Sequence, residues 1–177
     1  RYEGVGSAKI DLLCSHLEQI VPAGHQVLVF SQFVSFLERI DSALKQRGIS
    51  CLLLEGKTRK REDVIAKFRR GEGSVFLISL KAGGVGLTLT EADYVYIMDP
   101  WWNPSVEAQA INRAHRIGQS RAVNVYRLVA QDTIEEKVCQ LQAHKQRLID
   151  TVVDDVGDES TQRMDIDQLI ELLGVGE

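Results

Sequence analysis

Gln109, Arg113 and Arg116 stand at positions i, i+4 and i+7, a spacing that puts three side chains on one face of an α-helix. Arginine carries a rigid, permanently charged fork that matches phosphate oxygens. Two arginines on one face, beside a ligand-binding edge, have the chemistry to stabilise charge during phosphoryl transfer. An arginine used in this way contributes about 10³–10⁵ in rate. The same spacing also describes a surface helix whose arginines are simply solvated, and spacing alone does not separate the two.

A second candidate fails on inspection. Gly56-Lys57-Thr58 resembles the end of a phosphate-binding P-loop, G-x-x-x-x-G-K-[ST]. The glycine needed five residues earlier is absent, because Cys51 stands there inside an apolar run. Without that loop the backbone amides cannot wrap a phosphate chain, and no other segment supplies one. The sequence thus offers a clamp for phosphate charge but no cradle for β- and γ-phosphates with Mg²⁺. Metal chemistry is not expected either. Cys14, Cys51 and Cys139 are far apart, no C-x-x-C pair occurs, and the four histidines lack ligand spacing. Reduced, mostly buried thiols in a reducing compartment are expected.

The elements that must position these residues alternate. Apolar runs at 27–30, 51–54, 75–78, 94–98 and 123–126 read as buried parallel strands. Helical periodicity covers about 8–20, 34–47, 60–70, 105–116 and 133–152. Ser7 is placed to cap the first helix, and Asn103-Pro104 gives a cap followed by proline at the first helical position. Asp132 with Glu135 forms a capping-box-like pair. This alternation predicts an α/β fold with a mostly parallel sheet and helices on both faces. In such sheets ligands bind beyond the carboxyl ends of the strands. Ser31-Gln32, Glu55-Gly56-Lys57-Thr58, the run from Ser79 to Gly86, and Asp99-Pro100-Trp101-Trp102-Asn103-Pro104 each follow a strand directly, so all four should gather at one edge.

The chain of 177 residues is long enough for one domain with a real core. It starts Arg1-Tyr2-Glu3 without an initiator methionine, which predicts a piece of a longer protein. No apolar run of spanning length and no secretory signal pattern occurs, so a soluble intracellular protein without a membrane partner is expected. The net charge of −4 is unevenly spread. Residues 150–177 hold nine acids and one base, and residues 1–149 are net positive. Seven bases fall between Lys57 and Arg70 against Glu62 and Asp63. A charge run of this kind is often a solvated helix face, but a basic stripe is also what phosphate tracking needs. The expected organisation is a body at 1–152 that includes a brace helix at 132–152, then 153–177 as an acidic linker with a short amphipathic helix. That last helix reads either as a cap on the fold or as a docking surface for a protein partner.

The segment from Gln109 to Gln119, QAINRAHRIGQ, closely resembles motif VI of the SWI/SNF-type ATPases within the superfamily 2 helicases. Residues 79–90, SLKAGGVGLTLT, are similar to motif V, and residues 27–32, VLVFSQ, resemble motif IV. Asp99 to Pro104 resembles the tryptophan-containing segment between motifs V and VI. Order and spacing match over roughly residues 8–152. The resemblance implies a RecA-like three-layer sandwich: the second lobe of an ATP-driven translocase on double-stranded DNA. It implies ATP with Mg²⁺ as cofactor, held mainly by the protein's own N-terminal RecA-like lobe. By position, Arg113 and Arg116 are the expected arginine fingers and Gln109 lines the nucleotide cleft. Gly84 and Gly86 are expected to let the backbone approach nucleotide and DNA. Ser31, Gln32, Gly56, Lys57, Thr58, Ser79 and Lys81 are expected at DNA phosphates, and Trp101 or Trp102 either wedges against DNA or packs between lobes.

Three positions depart from the family's common pattern. Glu55-Gly56-Lys57-Thr58 stands where Asp-Gly-Ser-Thr is common, so a phosphate contact shifts from hydroxyl to ammonium. Lys81 replaces a frequent arginine and keeps its charge. Asn112 replaces a common aspartate, which puts a salt bridge from that position in doubt. The double tryptophan resembles a subset that includes many bacterial members. The location implied is the nucleoid in a bacterium or the nucleus in a eukaryote. The lobe alone is expected to be inactive as an ATPase. The alternatives are a non-catalytic module that docks DNA or protein, and a strand-separating or RNA helicase.

Overall fold

The computed structural model describes residues 7–80, 89–101, 104–112, 114 and 122–155. Arg113, Arg116, Gly84, Gly86, Lys81, Trp102 and the segment 156–177 lie outside them. The chain divides into two compact units, residues 1–140 and 141–177.

The described elements alternate as α1 (Ala8–Ile20), β1 (Val27–Ser31), α2 (Val34–Gln46), β2 (Cys51–Leu54), α3 (Arg61–Arg69), β3 (Val75–Ser79), β4 (Tyr94–Ile97), α4 (Pro104–Ile111), β5 (Asn124–Arg127) and α5 (Ile134–Asp155). The strands form one sheet in the order β2-β3-β1-β4-β5. Every pairing between neighbours is parallel, so the expected mostly parallel sheet is all-parallel among the described strands. β1 and β3 lie at its centre and are buried along their whole length. That burial is why both read as unbroken apolar runs rather than alternating ones.

Helices cover both faces. Val27, Val29, Val75 and Leu77 point to one side, where they pack with Leu13 and Leu17 of α1 and Leu37, Ile40 and Leu44 of α2. Leu28, Phe30, Phe76 and Ile78 point to the other, where they meet Ile65 and Phe68 of α3 and Ala110 of α4. The two-residue period of the strands thus builds two cores from one set of sequences.

α2 and α3 both end in Schellman turns. Gly48 and Gly71 adopt φ of +70° and +74°. Beyond them Ile49 N–H donates to Leu44 C=O, and Glu72 N–H to Lys67 C=O. A residue with a Cβ is strained at that backbone angle.

Three local expectations need correction. The run 123–126 is not a buried strand: β5 (Asn124–Arg127) is one of the two edge strands of the described sheet, and all four of its residues are exposed. It has one neighbour, β4, so only one side of its backbone is covered. Ser7 does precede α1, but its side chain makes no cap hydrogen bond. The cap of α5 is shifted by one residue from the expected pair. Thr133 Oγ1 accepts from Glu135 N–H, and Glu136 Oε2 accepts from Asp132 N–H. Glu135 is thereby released to bond elsewhere. α4 is described over Pro104–Ile111, and Arg113, His115 and Arg116 of the expected helix lie outside the described residues. Ala114 N–H reaches back three residues to Ile111 C=O, the tighter turn that closes many helices.

Candidate functional site

Parallel pairing sends every strand's carboxyl end to the same edge. Ser31 at the end of β1 is in register with Ser79 at the end of β3. The segments after β1, β2, β3 and β4 begin side by side there, as the sequence implied.

The loop between β1 and α2 is fixed from below by Asp99, just beyond β4. Its Oδ1 accepts the Ser31 hydroxyl at 2.5 Å, and its Oδ2 accepts the Gln32 backbone N–H at 2.9 Å. Asp99 is 4% exposed and Ser31 fully buried. This leaves the side chains of Gln32 and Phe33 exposed. The Ser31 hydroxyl is thus an internal fastener committed to Asp99. Ser79 is also fully buried, with its hydroxyl unpartnered.

After β2, Glu55-Gly56-Lys57-Thr58 closes on itself. Thr58 N–H donates to Glu55 C=O at 3.1 Å, and Thr58 Oγ1 accepts from Glu55 N–H at 3.0 Å. This single tight turn is too small to wrap a phosphate chain, in agreement with the missing upstream glycine. Gly56 and Lys57 are exposed and Thr58 half-buried. Arg59, Lys60 and Arg61 continue the exposed cationic run into the start of α3. Among the described residues, none of these four cations forms an ion pair, whereas Arg69 and Arg70 farther along α3 pair with Glu91 and Glu72. The basic stripe therefore splits: the part at the strand-end edge is open, and the part at the far end of α3 is tied up.

Trp101 is 5% exposed and packs in the core beneath α3 and α4. The ring is inside, filling the sheet face, while Trp102 lies outside the described residues. Gln109 is exposed on α4. Glu107, two residues earlier, is 1% exposed and bonds Arg127 of β5, which ties α4 to that edge strand.

A cavity of about 370 Å³ opens beside the Asp99 loop, lined in part by Lys9, Phe33, Arg39 and Glu135. Lys9 Nζ donates to Met98 C=O at 2.6 Å and to Glu135 Oε2 at 2.5 Å. Sequence reasoning gave no role to Asp99 or Lys9, whereas Arg59–Arg61 fell within the basic run it singled out.

The thiols are held protonated. Burial, with a hydrogen bond to Asp41, pushes Cys51 up to about 12. Burial likewise raises Cys14 and Cys139, and all three cysteines are free.

An all-parallel sheet with helices on both faces and its working loops gathered at the carboxyl edge defines a RecA-like α/β lobe. Residues 8–118 match the family described as the helicase conserved C-terminal domain, and the chain belongs to that family, in its SWI/SNF-type branch. It is 48% identical over 148 residues to DNA repair protein RAD5B of Arabidopsis thaliana, covering 81% of this chain and 12% of that protein. It is 42% identical over 154 residues to an uncharacterized ATP-dependent helicase of Mycoplasma pneumoniae, covering 85% of this chain and 15% of the relative. Among solved structures, the C-terminal part of the Fun30 ATPase domain superposes with a TM-score of 0.74 at 39% identity, over 80% of this chain and 46% of that one. The chain thus spans only a small part of the length of the curated relatives it matches.

Proposed function

We propose that this chain is the second lobe of an ATP-driven motor that translocates on double-stranded DNA, supplying arginine fingers to a nucleotide and phosphate contacts to a duplex. The observation that carries the reading is the strand-end edge itself: four segments converge there, and Lys57, Arg59, Lys60 and Arg61 stand exposed at it. Contacts to phosphates are independent of base sequence, which suits a motor that must move along any DNA.

In this reading Arg113 and Arg116 face the nucleotide from beyond α4, with the exposed amide of Gln109 lining the cleft and Gly84 and Gly86 allowing close backbone approach. Gln32, Gly56, Lys57, Thr58 and Lys81 meet DNA phosphates. Ser31 and Ser79 serve from inside by shaping the loops. The closed Glu55–Thr58 turn does not fit a triphosphate with Mg²⁺, so ATP and its metal are held mainly by the first RecA-like lobe. That lobe is the partner without which this one does not turn over ATP. The motor works where DNA is, in a nucleus or on a nucleoid. The brace role of α5 and protein docking by 164–173 belong to the same proposal.

The test is turnover in the two-lobe parent protein. Arg113→Ala and Arg116→Ala should each lower DNA-stimulated ATPase by about 10³-fold or more while DNA affinity is largely kept. Normal turnover in both variants sinks the arginine-finger assignment and favours a non-catalytic docking module. Efficient strand displacement by the parent protein would favour a strand-separating helicase instead.

A further inference from the structure

Asp99 is a buried carboxylate with no cation paired to it among the described residues. A buried charge is costly unless its hydrogen bonds are made, and an apolar side chain would fill the same core volume without that cost. What this carboxylate gains is a set of bonds to one loop on a neighbouring strand. Ser31 donates its hydroxyl at 2.5 Å and Gln32 its backbone N–H at 2.9 Å. Ser31 Oγ in turn accepts the Phe33 N–H at 3.1 Å. Three consecutive residues are thereby referenced to a single side chain 68 positions away from Ser31.

The geometry has a directional consequence. β1 and β4 are paired through Phe30 and Ile97, so the loop and the carboxylate leave the sheet side by side. With the Ser31 hydroxyl and the Gln32 amide both turned inward to Asp99, the Gln32 and Phe33 side chains are turned out. Charged acceptors make the stronger class of hydrogen bond, so this orientation is set before any ligand arrives.

We propose that Asp99 is a positioning residue: it holds the loop between β1 and α2 so that Gln32 faces the DNA backbone. The inference rests on the reading of this loop as a DNA contact. Asp99→Asn in the two-lobe parent protein keeps the size and an acceptor for Ser31, but sets an amide donor against the Gln32 N–H. The concentration of duplex DNA giving half-maximal ATPase should rise about 3- to 10-fold, the scale of one lost hydrogen bond, with the KM for ATP unmoved. Amide exchange over residues 31–34 should accelerate. Ser31→Ala, which loses one of the two bonds, should shift the same quantities less, and it carries the test if Asp99→Asn does not fold. An unchanged DNA requirement, or an equal shift in the KM for ATP, overturns the proposal. Gln32→Ala separates the two levels. If it weakens DNA binding and the Asp99 and Ser31 variants do not, the positioning role alone falls. If it too leaves DNA binding unchanged, the DNA-contact reading of the loop falls with it.

Discussion

Lys9 and Glu135 lie 126 positions apart in the chain, and their Nζ and Oε2 meet at 2.5 Å. Both side chains are less than a third exposed, and the same ammonium also bonds the Met98 carbonyl. The start of α5 is thus tied through α1 to the end of β4, one residue before Asp99. Lys9→Ala leaves a carbonyl without its donor and should destabilise the fold by about 1–3 kcal/mol. The check is the urea midpoint at unchanged m-value. A double-mutant cycle with Glu135→Gln that gives no coupling would mean the pair is effectively solvated.

Glu107 presents a harsher case. It is almost completely buried, and Arg127 is the cation bonded to it. Arg127→Ala strands a buried charge and should cost about 3 kcal/mol. Replacing both residues by methionine should recover most of that loss, because the charge leaves with its partner. Chemical denaturation of the single and double variants measures both values; a double variant as unstable as the single one would contradict the account.

Alkaline pH should weaken the fold. Cys51 is raised from 9.0 to about 12, and burial also raises Tyr96 from its ordinary 10.0. Raised acids favour the protonated folded state. Their contribution is complete below about pH 9 and is lost as pH climbs through the folded-state values, since the unfolded chain ionises first. Stability measured from pH 8 to 11 should therefore fall, and Cys51→Ser should flatten the slope. With the Cys51 thiol held protonated at pH 8, alkylation should be slow. Asp41→Asn removes a raising hydrogen bond and should speed it.

Neutralising the open cations at the strand-end edge should change how salt acts on binding. Each of Lys57→Ala, Arg59→Ala, Lys60→Ala and Arg61→Ala that removes a phosphate contact should lower the slope of log affinity against log salt by about 0.9 in the parent protein. The loss should be the same on duplexes of unrelated sequence. Arg70→Ala, whose native side chain is paired with Glu72, should leave the slope unchanged.

The sequence by itself determined the layered fold. β1 and β3 were legible because strands buried on both faces must be apolar throughout, and that leaves a continuous run. It also determined that the polar segments share one edge, since parallel strands separated by helices have no other way to connect. The failure of Gly56-Lys57-Thr58 as a P-loop was legible from one absent glycine.

Only tertiary structure decided the rest. The run at 123–126 has the composition of a core strand, but β5 sits at the sheet's edge, and edge position is a property of strand order. The burial of Trp101 and Ser31 was not legible, because local sequence does not reveal which way a loop turns. Asp99 fixes that turn for Ser31 and Gln32, and its partners become neighbours only when β4 pairs with β1. A buried polar contact between distant residues leaves no period and no spacing, so folding alone brings it into being.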